Sequence, residues 1–376
     1  MKLSKKKIIN VCEPLLTPNA EKYVMDCIKT EWISSAGKYL ENFEKKWAKY
    51  CGANDGISVT NGTSALQVAF KSLNLKPGDE VIMPSFTIIS CATAIIEAGA
   101  IPVLVDCYTD NWCINVEDLK KKISRKTKAI LVVHMFGHPA DMKPIQNIAK
   151  KNKLYLIEDA AEAHGATYNN KRVGSFGDLA CFSFYANKLI TTGEGGMVVS
   201  NNPKLTDKIR SLRNLSFRSD RRFYHTEIGY NYRLTNMQAA LGISQIENLK
   251  EHIRIKRQNT FLYNKILSKM NLPLQLPSER DNCKSVFWMY GVIIQKKIFD
   301  AKYLADKLLE KGVETRPLFL GMHQQPVLKK LKLFKNEKFP VTENLAKYGL
   351  YLPSGLKLTE NKIKKVCNIL QKIFNE

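Results

Sequence analysis

Three short segments carry residue types that could do chemistry together. In Val59-Thr60-Asn61-Gly62-Thr63-Ser64-Ala65-Leu66 a strand end passes through a glycine into an amphipathic helix. Free amides in a helix's first turn, beside two hydroxyls, suit a phosphate; a plain Thr/Ser helix cap would read the same way. In Leu154-Tyr155-Leu156-Ile157-Glu158-Asp159-Ala160-Ala161-Glu162-Ala163-His164-Gly165 an apolar strand runs straight into two acids. One of them would be buried at the strand's carboxyl end and would need a cationic partner, such as a protonated ring nitrogen; the plain alternative is a helix cap followed by solvated acids. In Ala180-Cys181-Phe182-Ser183-Phe184-Tyr185-Ala186-Asn187-Lys188 the lysine lies just beyond a hydrophobic strand and before the glycine-rich turn Gly193 to Gly196. A lysine in a partly desolvated pocket has a lowered pKa and can act as an amine nucleophile, forming a Schiff base. Position alone does not separate Lys188 from the solvated lysines of so basic a chain.

The elements that must position these groups follow from periodicity. Short β-branched runs recur at Ile57 to Thr60, Val81 to Met83, Pro102 to Val105, Ile130 to Val133, Leu154 to Ile157, Ala180 to Phe184 and Met197 to Ser200. The first five are spaced widely enough for crossover helices, which predicts an α/β fold with a largely parallel sheet covered on both faces. The last two are joined by the glycine turn and are expected to pair as a hairpin. Ligands of such sheets gather at the strands' carboxyl ends, where the three segments fall. After Ser200 the pattern turns to long charged helical stretches, notably Thr235 to Lys269. The apolar run Val286 to Ile294, a helix over Asp300 to Lys311 and the amphipathic Glu360 to Phe374 suggest a smaller C-terminal α/β unit. The expected division is an N-terminal segment and large domain over 1–249 and a small domain over 250–376, with a linking helix near Leu249 to Arg257.

Composition bounds the function. The formal charge of +23, from 58 Lys+Arg against 35 Asp+Glu, raises the possibility of a polyanionic partner. The lysines, however, are scattered rather than interleaved with aromatics in one tract, as solvated helix faces require, and none of the short nucleic-acid signatures is present. A basic nucleic-acid-binding protein is the rival from another class. Nine cysteines stand singly with no CxxC pair, which argues against a zinc site and a secreted disulfide framework. The start, Met1 to Cys12, has too short an apolar run for a signal peptide, and no stretch approaches the roughly 18 apolar residues of a membrane span. A cytoplasmic setting without metal, nucleic acid or membrane is expected.

A phosphate cradle, a buried acid and a strand-end lysine, in that order along an α/β sheet, correspond to the three anchors of pyridoxal phosphate. Here the chain resembles the sugar-nucleotide aminotransferases of the DegT/DnrJ/EryC1/StrS type, fold-type-I pyridoxal-phosphate enzymes. The likeness runs through Trp32-Ile33-Ser34-Ser35, Gly62-Thr63-Ser64, Glu158-Asp159-Ala160-Ala161-Glu162, Ser183-Phe184-Tyr185-Ala186-Asn187-Lys188 and Gly229-Tyr230-Asn231-Tyr232-Arg233. Thr191 to Gly196, Val286-Phe287-Trp288-Met289-Tyr290 and Glu314-Thr315-Arg316-Pro317, leading to Met322-His323, are most like the perosamine-forming members.

The resemblance implies a mixed, mostly parallel seven-stranded sheet with a smaller C-terminal domain. It makes Lys188 the catalytic Schiff-base lysine and proton shuttle, and pairs Asp159 with the pyridine nitrogen. Glu162, where many relatives have Gln, would lie near the ring hydroxyl. Gly62, Thr63, Ser64 and Ser183 would hold the phosphate, and Asn231 would reach the neighbouring subunit's cofactor in an obligate homodimer. Ile88 stands where the family usually has an aromatic residue stacked on the ring, so the sandwich becomes Ile88 against Ala161, with Phe86 as a possible substitute. Arg316 and His323 are candidate substrate contacts; a salt bridge and a satisfied histidine are the plain alternatives. The cofactor would alternate between pyridoxal and pyridoxamine 5′-phosphate. The implied reaction carries an amino group from L-glutamate to C4 of a nucleotide-linked 4-keto-6-deoxyhexose, either GDP-linked and perosamine-type or UDP- or dTDP-linked and viosamine-forming. A C3 dehydratase on this scaffold would carry histidine in place of Lys188.

Overall fold

The computed structural model describes residues 8–296 and 298–376; most of the Met1 to Cys12 leader assessed above lies outside them. The seven expected strands are β1 (Asp55–Val59), β2 (Glu80–Pro84), β3 (Ile101–Val105), β4 (Thr127–Val133), β5 (Tyr155–Asp159), β8 (Leu179–Ser183) and β9 (Gly196–Ser200). A two-residue hairpin, β6 (Thr167–Tyr168) and β7 (Lys171–Arg172), intervenes between β5 and β8. The large sheet has the order β1-β9-β8-β5-β4-β2-β3. Neighbours from β8 through β3 pair parallel, while β9 runs antiparallel to both β8 and β1. The hairpin expected of the last two runs is therefore present, and β9 is the one reversed strand in this sheet.

The strand interiors are buried on both faces, as a sheet packed between helix layers requires. Helix Gly62–Ser72 lies against β8 and β9, helix Ile89–Glu97 against β3, and helix Lys38–Cys51 against β1. The last of these buries Phe43 and Trp47 in a core shared with Phe182 and Phe184 of the β8 segment.

The long helical stretch begins with a capping box, Thr235 bonding reciprocally with Gln238, and breaks at Asn248 into Asn236–Glu247 and Leu249–Met270. A second sheet of four strands contains Leu274–Gln275, Tyr290–Ile294, Gly349–Leu352 and Arg316–Pro317, in that order. Of the apolar run from Val286, only Tyr290–Ile294 is strand. Phe287 has φ 48°, a left-handed value that ends pairing, and the Trp288 N–H instead donates to the Phe136 carbonyl at 2.9 Å. Helix Glu360–Asn375 turns Ile363, Val366, Cys367, Leu370 and Ile373 onto the second sheet's core, at the i, i+3, i+4 spacing of an amphipathic helix.

Candidate active site

The carboxyl ends of β5 and β8 and the start of helix Gly62–Ser72 surround a cavity of about 490 Å³. Its chemistry begins with β5. Successive residues on a strand face opposite ways, so Glu158 and Asp159 part company. Asp159 turns into the cavity, where its Oδ1 accepts the Ala161 N–H at 3.1 Å and its Oδ2 accepts the Cys91 thiol at 3.2 Å.

Glu158 turns away and is fully buried. Its Oε1 accepts from Phe176 and Gly177 N–H at 2.8 and 2.7 Å, and its Oε2 accepts from Gly174 N–H at 2.8 Å and His134 Nε2 at 3.0 Å. The Ala140 N–H occupies His134 Nδ1 at 3.1 Å, so the imidazole hydrogen sits on Nε2, pointing at Glu158. Burial pushes this carboxyl up, yet His134 and the amides outweigh burial and hold it below the ordinary carboxyl range.

The phosphate-suited turn is built by Asn61. Its side chain caps the helix, Oδ1 accepting the Ser64 N–H at 2.8 Å; the cap is thus neither Thr63 nor Ser64. Ser64 is buried and its hydroxyl is hydrogen-bonded to Thr60 and Asn61. Thr63 lines the cavity with its hydroxyl 2.9 Å from that of Ser90, and Ser183 lines it from the end of β8. A Cβ at Gly62 would stand 2.8 Å from the Ser183 Cβ, and one at Gly196 would collide with the Asn61 carbonyl oxygen. Glycine at both positions lets β8, β9 and the helix start approach closely.

Lys188 sits in the loop from β8 to β9, which is clasped at its base. The Phe184 N–H donates to the Gly195 carbonyl at 2.8 Å and the Thr192 N–H to the Phe184 carbonyl at 2.9 Å. The Lys188 amine lies 3.9 Å from the Trp288 ring centre and 3.9 Å from Glu162 Oε1. Burial draws the amine below its ordinary pKa, against the opposing pull of Glu162 and Asp159. Burial also lifts the Glu162 carboxyl to about 7, against Lys188.

Of the residues expected from the sequence, the cavity gathers Gly62, Thr63, Ile88, Asp159, Ala161, Glu162, Ser183 and Lys188. Ile88 is 47% exposed at its rim, whereas Phe86 is fully buried against Trp112 and Phe319. Ser64 lies just behind the lining. Asn231 is exposed, bridging to Asn214 outside its own chain's cavity. Arg316 pairs with Glu314 at 2.6 Å, and buried His323 bonds to Ser85 at 2.9 Å and Glu343 at 3.1 Å; neither lines the cavity. Trp288, Asn61, Cys91 and Phe136 were not singled out from sequence. Trp288 and Asn61 stood within segments already noted, but the contact of Trp288 with Lys188 spans a hundred residues.

The DegT/DnrJ/EryC1/StrS aminotransferase family profile matches residues 14–371. GDP-perosamine synthase from Vibrio cholerae is 37% identical over 369 residues, covering 98% of this chain and 100% of that one. Its counterpart from Escherichia coli O157:H7 is 38% identical over 370 residues with the same coverage. Among solved structures, Helicobacter pylori PseC, an aminotransferase involved in the biosynthesis of pseudoaminic acid, superposes with a TM-score of 0.93 at 25% identity, covering 98% of this chain and 100% of that chain.

Proposed function

The chain belongs to the DegT/DnrJ/EryC1/StrS aminotransferase family, and on that premise we propose that it transfers an amino group from L-glutamate to C4 of a GDP-linked 4-keto-6-deoxyhexose, giving a 4-amino-4,6-dideoxy sugar nucleotide of perosamine type. The observation that carries the reading is the convergence of Lys188, Asp159 and the Gly62 turn on one cavity, in a chain matched end to end by relatives named GDP-perosamine synthases.

Pyridoxal 5′-phosphate fits these residues. The glycine-only approach at Gly62 leaves the helix start, Thr63 and Ser183 open to a phosphate; Asp159 offers an acceptor for a ring N–H; Ile88 and Ala161 can flank a flat ring; and Lys188 offers an amine. When bound, this cofactor supplies an aldehyde for amine capture and a ring that accepts the electrons left when a proton departs the donor carbon. The chain's own residues do the rest. Asp159 holds the ring's N–H and so favours the ring's cationic form. Lys188, desolvated and able to exist as a neutral amine, takes a proton from the donor carbon and later delivers one to sugar C4. One amine on one side of the cavity serves one face of that carbon, which fixes the configuration of the product.

The reading includes a cytoplasmic homodimer in which Asn231 serves the other subunit's cavity. Asn231 is exposed and does not line its own chain's cavity, which supports that role, and nine free cysteines suit a reducing compartment. The test is an assay with glutamate and a panel of GDP-, UDP- and dTDP-linked 4-keto-6-deoxyhexoses. Turnover of the GDP-mannose-derived ketone with at least tenfold preference in kcat/KM, about 1.4 kcal/mol, is expected. Preference for a UDP- or dTDP-glucose-derived ketone would replace the perosamine reading with a viosamine-forming one.

A further inference from the structure

Two carboxyls enter the cavity beside one amine, and the second of them has no role in holding a phosphate or a ring N–H. Glu162 is nearly fully buried. Its Oε2 accepts the Phe136 N–H at 2.7 Å, leaving Oε1 directed at Lys188 Nζ, 3.9 Å away. That gap is closed by one water or by a small rotation of the lysine's terminal torsion.

The amine also packs against the Trp288 indole. Its ring centre is 3.9 Å from Nζ, and its Nε1–H donates to the Asn187 carbonyl at 2.9 Å, one residue before the lysine. Phe136 holds both groups. Its φ of 50° and ψ of 25° are left-handed, an unfavourable setting for a bulky residue. In that setting its N–H serves Glu162 and its C=O serves the Trp288 N–H, while its ring packs edge-on to Trp112, Trp288, Phe319 and Tyr351.

We propose that Glu162 is the proton partner of Lys188, storing and returning the proton that the amine handles, and that Phe136 and Trp288 position the pair. In the forward direction the Glu162 O–H bond breaks and its proton joins the Nζ lone pair, giving carboxylate and ammonium; the reverse step restores acid and neutral amine. The inference rests on the aminotransferase reading. Such a partner resets the amine between taking a proton and giving one, and Glu162 is the carboxyl within ion-pair distance of Lys188 among the described residues. Burial lifts the Glu162 carboxyl to about 7 while drawing the Lys188 amine down, so burial brings the two groups closer in proton affinity. The other groups facing the pair are Asp159, the Tyr351 phenol, the Cys12 thiol and His164, whose imidazole burial and Lys188 together push down to about 3. Glutamine at 162 would keep the Phe136 hydrogen bond and have no proton to give.

The test uses both the cofactor-free and the loaded enzyme. In the cofactor-free protein, the rate at which trinitrobenzenesulfonate modifies Lys188 is followed across pH by peptide mass spectrometry. Glu162→Gln is expected to lower the apparent Lys188 pKa by about 1 or more, the scale of losing an opposite charge at this range. Trp288→Leu is expected to lower it in the same direction, and Trp288→Phe to restore it. In the loaded enzyme, the pH profile of kcat should lose its ionisation near 7 in Glu162→Gln and regain one in Glu162→Asp, with the KM for the amino donor changed less than about threefold. An unchanged Lys188 titration in Glu162→Gln, or a kcat profile that keeps its limb near 7, overturns the proposal. Absence of turnover with every donor and acceptor pair would instead defeat the aminotransferase reading, and the modification experiment would still decide whether the pair shares its proton.

Discussion

Replacing Glu158 by Gln should destabilise the fold by about 4 kcal/mol, although the two side chains have nearly the same shape. Every donor around this carboxylate is fixed. Oε1 faces the Phe176 and Gly177 amides, and Oε2 faces the Gly174 amide and His134 Nε2, all within 3.0 Å. An amide side chain must put its NH2 on one side or the other, and on either side it meets two donors. The imidazole cannot rescue it by shifting its hydrogen, because the Ala140 N–H already claims Nδ1. Two buried donors are left unsatisfied, at about 1–3 kcal/mol each, in a site with no solvent exposure.

The pH dependence carries a sign. The Glu158 carboxyl is held below its ordinary 4.5 in the folded chain, so its contribution is fully present above that value and is lost as pH falls through the lower folded value. Urea unfolding of the cofactor-free wild type and Glu158→Gln, compared by midpoint at constant slope, reads both effects. A deficit below about 1 kcal/mol at neutral pH, or one that widens on acidification, would refute the reasoning.

Lys188→Ala should abolish transamination, and borohydride reduction should no longer fix the cofactor's mass to the chain; retained turnover would remove the lysine from its role. Ile88→Phe should tighten pyridoxal phosphate binding by about 2- to 12-fold, the equivalent of one aromatic contact at about 0.5–1.5 kcal/mol, read by absorbance titration; unchanged affinity would mean that Ile88 does not cover the ring. Gly196→Ala should cost about 1–3 kcal/mol in thermal unfolding through overpacking and also weaken cofactor binding; loss of stability with affinity intact would separate the hairpin from the cradle.

The large sheet was legible because its strands are β-branched runs of ordinary length, and the choice of Asp159 over Glu158 agrees with strand alternation. What could not be read locally was set by contacts far apart in sequence. Phe287 ends a run that looks like continuous strand because Trp288 is needed across the cavity by Phe136 and Lys188. The break at Asn248 was passed over although composition changes there: Asn236–Glu247 carries only Glu247 as a charged residue, whereas Leu249–Met270 is dense in Lys and Arg. Lys256 reads as one more solvated lysine, yet it is buried, donates to the Ser354 carbonyl at 2.5 Å and has its amine drawn down by burial to about 8. Asn61 was passed over because its neighbours Thr63 and Ser64 are equally good capping types.

The meeting of Gly196 with the Asn61 carbonyl oxygen acts as a gauge between two tools. Asn61 caps the helix whose first turn is proposed to receive one end of the cofactor, and Gly196 opens the strand that closes the loop bearing Lys188, proposed for the other end. Their separation is set by backbone against backbone, with no side chain to flex and no solvent to yield. The spacing between the two ends of the site is thus a fixed length, tuned to one size of guest. Variation in the sugar or nucleotide must be accommodated elsewhere around the rim, so divergence within such a scaffold can alter what is aminated far more readily than the cofactor that carries the nitrogen.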